Sequence, residues 1–178
     1  MQLINDILDY SKGEAGKLEI RDSEVGAARL VDESVRMVLE KAKAKSIKIE
    51  NNIPDDFPRI LVDERKIKQI LINLITNAIK FTNQDGSIII AGEKLENGDL
   101  LITVQDDGVG MASEDIPTAL SVFGQVKSNV EQEEEGTGLG LPLCKMLTEL
   151  HGGKFDIESE IDKGTKAIMI LPRFRVVS

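Results

Sequence analysis

Residues 70–82 read ILINLITNAIKFT, an apolar helical run that carries two asparagines four positions apart. Side chains at i and i+4 stack on one face of a helix, so Asn73 and Asn77 point the same way. Asparagine is a poor helix former, and a buried amide without partners costs about 1 to 3 kcal/mol. Any fold that packs this helix must therefore set something polar against that one face. The 178 residues, 41% of them hydrophobic, suffice for one compact domain with a short appendage.

The rest of the chain supplies the frame. MQLINDILDY places Leu3, Ile4, Ile7 and Leu8 on one helical stripe with no capping residue before it, which reads as the tail of a longer helix. Two glycines in SKGEAG break that pattern, KLEI reads as a short strand, and the main module begins near Lys17. From Ser23, an N-cap, to about Lys45, the positions Val31, Val35, Val38 and Leu39 recur at helical spacing. SIKIENNI alternates as a strand, PDDFP ends it, and the asparagine helix follows from about Asp63 to Lys80. SIIIAGEKL and LLITVQ flank the turn ENGD as a hairpin, and the second strand runs into DDGVGM.

Residues 112–135 lack sustained periodicity and end in EQEEEG; connections of that length in a compact domain are lids or disordered segments. GTGLGLPLCKMLTELHGG opens on glycines, continues as an apolar helix with Pro142 tolerated in its first turn, and stops at Gly152. KFDIESE and TKAIMILP close the chain as strands around the turn IDKG. Strands with three main helices give an α+β fold, a two-layer α/β sandwich with one sheet face covered.

Charge and cysteine content exclude several classes of function. Thirty-one acidic against twenty-two basic residues leave a net charge of −9, the wrong sign for neutralising nucleic-acid phosphates. The single cysteine, Cys144, lies in an apolar run and reads as a small buried hydrophobe, so neither an internal disulfide nor a cysteine-rich zinc site is available. No apolar run approaches the ~20 residues that span a bilayer, and no basic-then-hydrophobic leader opens the chain. A reducing cytoplasm fits.

Four features bear on chemistry, and each alone has a plain structural explanation. A single buried Asn is usually a satisfied core amide, and Lys80 is a cation near a helix C-terminus. DDGVG is a turn composition; GTGLG is a flexible connection, although glycines opening a helix also expose N–H groups that bind phosphate. Gly136, Gly138 and Gly140 alternate after an acidic loop, which is not the G-x-G-x-x-G of a dinucleotide fold, and no G-K-[ST] is present. Together the parts make a different nucleotide site: an Asn carbonyl supplies oxygen to Mg²⁺, glycine N–H groups cradle phosphates, and a strand-end carboxylate accepts from a base amino group.

At these residues the chain resembles the sensor histidine kinases of two-component signalling. DERKIKQILINLITNAIKFT resembles their N box, VQDDGVGM the first glycine box, VFGQ with Phe123 the F box, and GTGLGL the second glycine box. The resemblance runs from about residue 17 to 172. It implies a Bergerat ATP-binding fold, with a mixed, mostly antiparallel sheet, about three helices on one face and a mobile ATP lid. Residues 17–178 then form the catalytic ATP-binding domain, and residues 1–16 the end of a dimerisation and phosphoacceptor helix with its linker.

Residue by residue, the resemblance makes Asn77 the Mg²⁺ ligand through its amide oxygen, Asn73 the polar residue one turn earlier, and Lys80 a phosphate contact. Asp106 accepts from the adenine amino group, with Gly108 and Gly110 letting the base approach. Gly136, Thr137, Gly138, Leu139 and Gly140 form the phosphate-binding end of the lid. ATP and Mg²⁺ are the implied cofactors. The implied partners are a phosphoacceptor histidine domain on the same or a partner kinase chain and, indirectly, a response regulator, with dimers expected only when the full dimerisation domain is present. Nucleic acid and membrane insertion by this segment are not implied, and the location is cytoplasmic whether or not a full-length parent is membrane-anchored.

The chain also departs from the family pattern. Its one histidine, His151, ends a helix in ELHGG and is not the phosphoacceptor, while the lid carries Lys127 and glutamates but no arginine. Two other readings stay open. A non-catalytic nucleotide-binding regulatory module would keep Asp106 and the glycines, and an ATP hydrolase of the same superfamily would need a base to activate water. The resemblance puts a glutamate in the hydrolases where this chain has Asn73, and an amide takes no proton at neutral pH.

Overall fold

The structure, a computed structural model, describes residues 2–126 and 136–177. Helices α1 (Gln2–Glu14), α2 (Ala27–Ala44), α3 (Glu64–Phe81), α4 (Ile116–Ala119) and α5 (Gly140–Leu150) alternate with eight strands. These are β1 (Ser23–Gly26), β2 (Lys48–Asn52), β3 (Arg59–Val62), β4 (Ser87–Lys94), β5 (Leu100–Asp106), β6 (Lys154–Glu160), β7 (Gly164–Leu171) and β8 (Val176–Val177). A five-stranded sheet runs β2-β4-β5-β7-β6, with β2 parallel to β4 and every other pairing antiparallel. Helix α3 packs against both α2 and α5, and all three pack against this sheet, the α+β sandwich expected from the sequence.

Helix α3 organises the core. Ile67, Ile70, Leu71, Leu74, Ile75, Ala78 and Ile79 are buried at i, i+3, i+4 spacing, a stripe wide enough to seat the helix between sheet and neighbours. They meet Ile88, Ile90, Ile102 and Val104 from the hairpin and Leu143 and Leu147 from α5 in one apolar cluster. Burial of each such side chain contributes roughly 1.5 to 3 kcal/mol. Asp63 caps the helix by accepting from Arg65 N at 3.1 Å and Lys66 N at 3.2 Å, which satisfies two otherwise orphaned N–H groups.

The structure differs from the sequence reading at the small second sheet, β1-β3-β8. Ser23 is not a helix cap but the first residue of β1, opposite Val62, and α2 starts later, at Ala27, with no side-chain cap. KLEI forms no strand: among the described residues no strand pairs with it, and Lys17 N donates instead to Lys12 O at 2.8 Å, although Leu18 packs on the core. RILV, four residues long, does form a strand, because β1 and β8 flank it. The first part of the expected lid is also ordered, a 3-10 turn at Ser113–Asp115 followed by α4. Lys127 and the glutamates of EQEEEG lie outside the described residues.

Helix α1 docks by the face opposite to its apolar stripe. Leu3, Ile4, Ile7 and Leu8 are exposed, while Asp6 accepts from Gln69 Nε2 at 3.0 Å and Asp9 pairs with Lys66 at 2.7 Å. A Cβ at Gly13 would lie 2.1 Å from Met146 Sδ, so α1 and α5 meet closely at the glycine.

Candidate functional site

A cavity of about 660 Å³ opens between α3, β5, β7 and the loop before α5, within the size range of small-molecule sites. Its floor is Asp106, the last residue of β5. Oδ1 accepts from Gly108 N at 2.9 Å and from Thr165 N at 3.2 Å, so the carboxylate cannot turn. Oδ2 accepts nothing from the described residues and is the oxygen left to a ligand. Burial raises the Asp106 pKa, the two N–H bonds pull it back, and neighbouring Asp107 adds a smaller rise. Asp107 itself is exposed and is taken up by the start of β4, accepting from Ser87 N at 2.9 Å and Ser87 Oγ at 2.8 Å.

The second wall is the polar side of α3. Asn73, Thr76, Asn77 and Lys80 all line the cavity. Asn73 Nδ2 is buried with no hydrogen-bond partner, a condition that proteins rarely tolerate without a ligand or water. Next to it, burial pushes the Cys144 thiol well above its ordinary range, and its Sγ donates to Ile70 O at 3.7 Å. Lys80 Nζ lies 5.2 Å from the Phe81 ring centroid and is close enough to the opposite loop that a Cβ on Gly136 would sit 2.8 Å from it.

The loop before α5 is the third wall, with Gly136, Thr137, Gly138 and Gly140 on the cavity. Its shape is held by backbone and amide contacts: Phe123 N donates to Gly138 O at 3.0 Å, and Gln125 Nε2 to Gly136 O at 2.7 Å. Leu139, 1% exposed, anchors the loop in the core. Helix α5 therefore begins at the cavity with its first N–H groups unpaired within the helix, which suits an anion.

Three residues expected at the site do not line it. Gly108 and Leu139 lie behind the wall, and Phe123 is 63% exposed on the surface. The glycines of DDGVG are required by the chain's own packing. A Cβ on Gly108 would lie 2.2 Å from Phe81 O, and one on Gly110, at φ +61°, would lie 1.9 Å from Glu160 O. These contacts exclude larger residues there, and Gly110 also lines the cavity. Conversely, Thr165 is not legible in the sequence as a site residue: it is the second residue of β7, and only the β5–β7 pairing brings its N–H to Asp106.

Neutral amide oxygens on Asn73 and Asn77 suit a hard cation that takes its other ligands from phosphates and water. Among the described residues no cluster of His, Cys, Asp and Glu could hold a metal by itself. His151 is fully buried: Nδ1 donates to Leu147 O at 2.7 Å and Nε2 accepts from Asp63 N at 3.2 Å. Neither nitrogen is left for chemistry. No helix among the described residues is long and apolar enough to cross a membrane.

Comparison with known proteins agrees with this geometry. Residues 62–175 match the family of histidine kinase-, DNA gyrase B- and HSP90-like ATPases. The non-motile and phage-resistance protein of Caulobacter vibrioides is 39% identical over 97% of this chain and 21% of its own length. The cell-division control histidine kinase PdhS of Brucella canis is 33% identical over the whole chain and 18% of its own. The chain thus spans about a fifth of the curated relatives it matches. Among solved structures, full-length ShkA in complex with AMPPNP superposes with a TM-score of 0.84 at 27% identity, covering 96% of this chain and 35% of that one. The catalytic domain of histidine kinase ThkA gives 0.74 at 29%, covering 86% and 96%.

Proposed function

Because the chain belongs to the histidine kinase-, DNA gyrase B- and HSP90-like ATPase family, we propose that it is the ATP-binding kinase module of a two-component sensor histidine kinase. It donates the γ-phosphate of Mg·ATP to a histidine on a separate or upstream helical domain, from which a response regulator is served. The observation that carries this reading is Asp106, held by two backbone N–H groups on one oxygen with the other open to the cavity. An acceptor fixed in that way matches the amino group of adenine and opposes the carbonyl that guanine presents at the same place.

The remaining residues divide the phosphate end between them. Asn77 would hold Mg²⁺ through its amide oxygen, with Asn73 supporting it one turn earlier, and Lys80 would contact phosphate beside Gly136, Thr137, Gly138 and Gly140. The bound ion supplies charge neutralisation to the phosphates, while the chain supplies position, which is most of what phosphoryl transfer asks of a protein. No group at Asn73 can take a proton from water, so hydrolysis is disfavoured. Residues 1–16 are read as the end of the acceptor-domain helix, supported by the exposed stripe of Leu3, Ile4, Ile7 and Leu8. Such a stripe suits a partner helix that the complete domain would provide.

Incubated alone with γ-labelled ATP and Mg²⁺, the chain should acquire no acid-labile phosphate. A two-helix domain with its acceptor histidine, added in trans or joined upstream, should restore labelling, and Asn77→Ala should abolish it along with the Mg²⁺ dependence of nucleotide binding. Label on the isolated chain, or steady phosphate release near 10 s⁻¹, about the enzyme median, would overturn the proposal.

A further inference from the structure

Among the described residues the charged groups lining the cavity are Asp106, Lys80 and a third, Lys41, which none of the sequence motifs includes. Lys41 lies in the last turn of α2 and is exposed. Its placement is set one turn further on: Lys45 Nζ donates to Ile79 O at 3.1 Å and to Lys80 O at 2.9 Å, fastening the end of α2 to the end of α3. Position 41 is four residues before 45, on the same helix face, and so stands over the turn of α3 that carries Thr76, Asn77 and Lys80.

Local chemistry leaves this ammonium group available. The residues three and four positions away are Met37, Val38, Ala44 and Lys45, none able to pair with it, and nearby Glu40 is bonded to Lys43 at 2.9 Å. No ion pair engages Lys41 among the described residues. Two lysines brought to the cavity, facing a loop that carries a helix N-terminus and glycine N–H groups, make a positive field there.

Resting on the nucleotide reading of the cavity, we propose that Lys41 is a second cation for the polyphosphate of the bound nucleotide, contributed from α2 rather than from the lid. It acts as a positioning and affinity residue beside Lys80, screened by salt because it is exposed. Its contribution grows with phosphate charge and leaves base recognition untouched.

Titration calorimetry of the whole chain with ATP, ADP and AMP tests this. Lys41→Ala should weaken ATP roughly 2- to 5-fold and AMP hardly at all, with a shallower loss of ATP affinity on raising salt. Lys41→Arg should restore most of the ATP affinity and Lys41→Glu should weaken it further. Thermal unfolding without nucleotide should be unchanged, because Lys41 is exposed and surface substitutions usually change stability little. Equal ATP affinity in wild type and Lys41→Ala, or equal weakening of ATP and AMP, would overturn the inference while leaving the nucleotide site standing. Failure of the wild type to bind any of the three would remove the site and this residue's role together.

Discussion

Asp106 shows how one carboxylate can be both structural and available. Oδ1 ties the end of β5 to the turn at Gly108 and to Thr165 on β7, and the fixed orientation leaves Oδ2 as an acceptor at the cavity floor. Asp106→Asn must keep its carbonyl on the two N–H donors and so turns an NH₂ group toward the ligand. ATP and ADP affinities should both fall by about 1.5 to 3 kcal/mol, the loss of one charge-assisted bond, and discrimination against GTP should shrink. Calorimetric titration with the three nucleotides checks this; unchanged ATP affinity would take Asp106 out of base recognition. The neighbouring residue makes the contrast: Asp107, identical in type, is occupied entirely by Ser87, and nothing in DDGVG read as a string tells the two apart.

Along α3 the polar residues Lys66, Gln69, Asn73, Asn77 and Lys80 recur at three- and four-residue intervals, one polar stripe opposite the buried one. Its first half holds α1 through Asp9 and Asp6, and its second half lines the cavity. One helix face therefore couples the docking of the N-terminal helix to the site. The Lys66–Asp9 pair is mostly shielded, which makes it worth more than a fully exposed pair, about 1 kcal/mol. Asp6→Ala with Asp9→Ala should raise amide hydrogen exchange across residues 2–14 while α3 keeps its protection. If α1 already exchanges at unprotected rates in the unaltered chain, the docking does not persist in solution. Gly110→Ala should be costlier than either: a Cβ 1.9 Å from Glu160 O at φ +61° requires the β6–β7 turn to move. A fall in thermal midpoint of several degrees is expected, since 1 kcal/mol corresponds to roughly 2 to 4 °C at this size.

At the scale of the whole molecule, His151 joins the C-terminal end of α5 to the first residues of α3 by using both ring nitrogens. Burial holds its pKa below the ordinary 6.5, with the bond to Leu147 opposing and Arg175 lowering it further. The unfolded chain therefore takes up a proton that the fold refuses. This stabilisation is complete above about pH 6.5 and declines as pH falls below it, by up to about 1.4 kcal/mol per unit. Urea unfolding at pH 7.5 and 5.5 should show the loss, and His151→Gln, less stable at both, should lose less between them; equal losses would exonerate the histidine. The sequence by itself determined the α+β order, the asparagine helix and its polar face, the hairpin ending at Asp106 and the glycines that open α5. Each of these is written in residues close together in the chain, as periodicity, capping or turn chemistry. Tertiary structure alone decided that RILV is a strand and KLEI is not, that Thr165 orients Asp106, that α1 docks by its polar side, and that Lys41 reaches the cavity. Those outcomes rest on pairings between residues distant in sequence, where backbone hydrogen bonds and helix packing, not local preference, choose which groups meet.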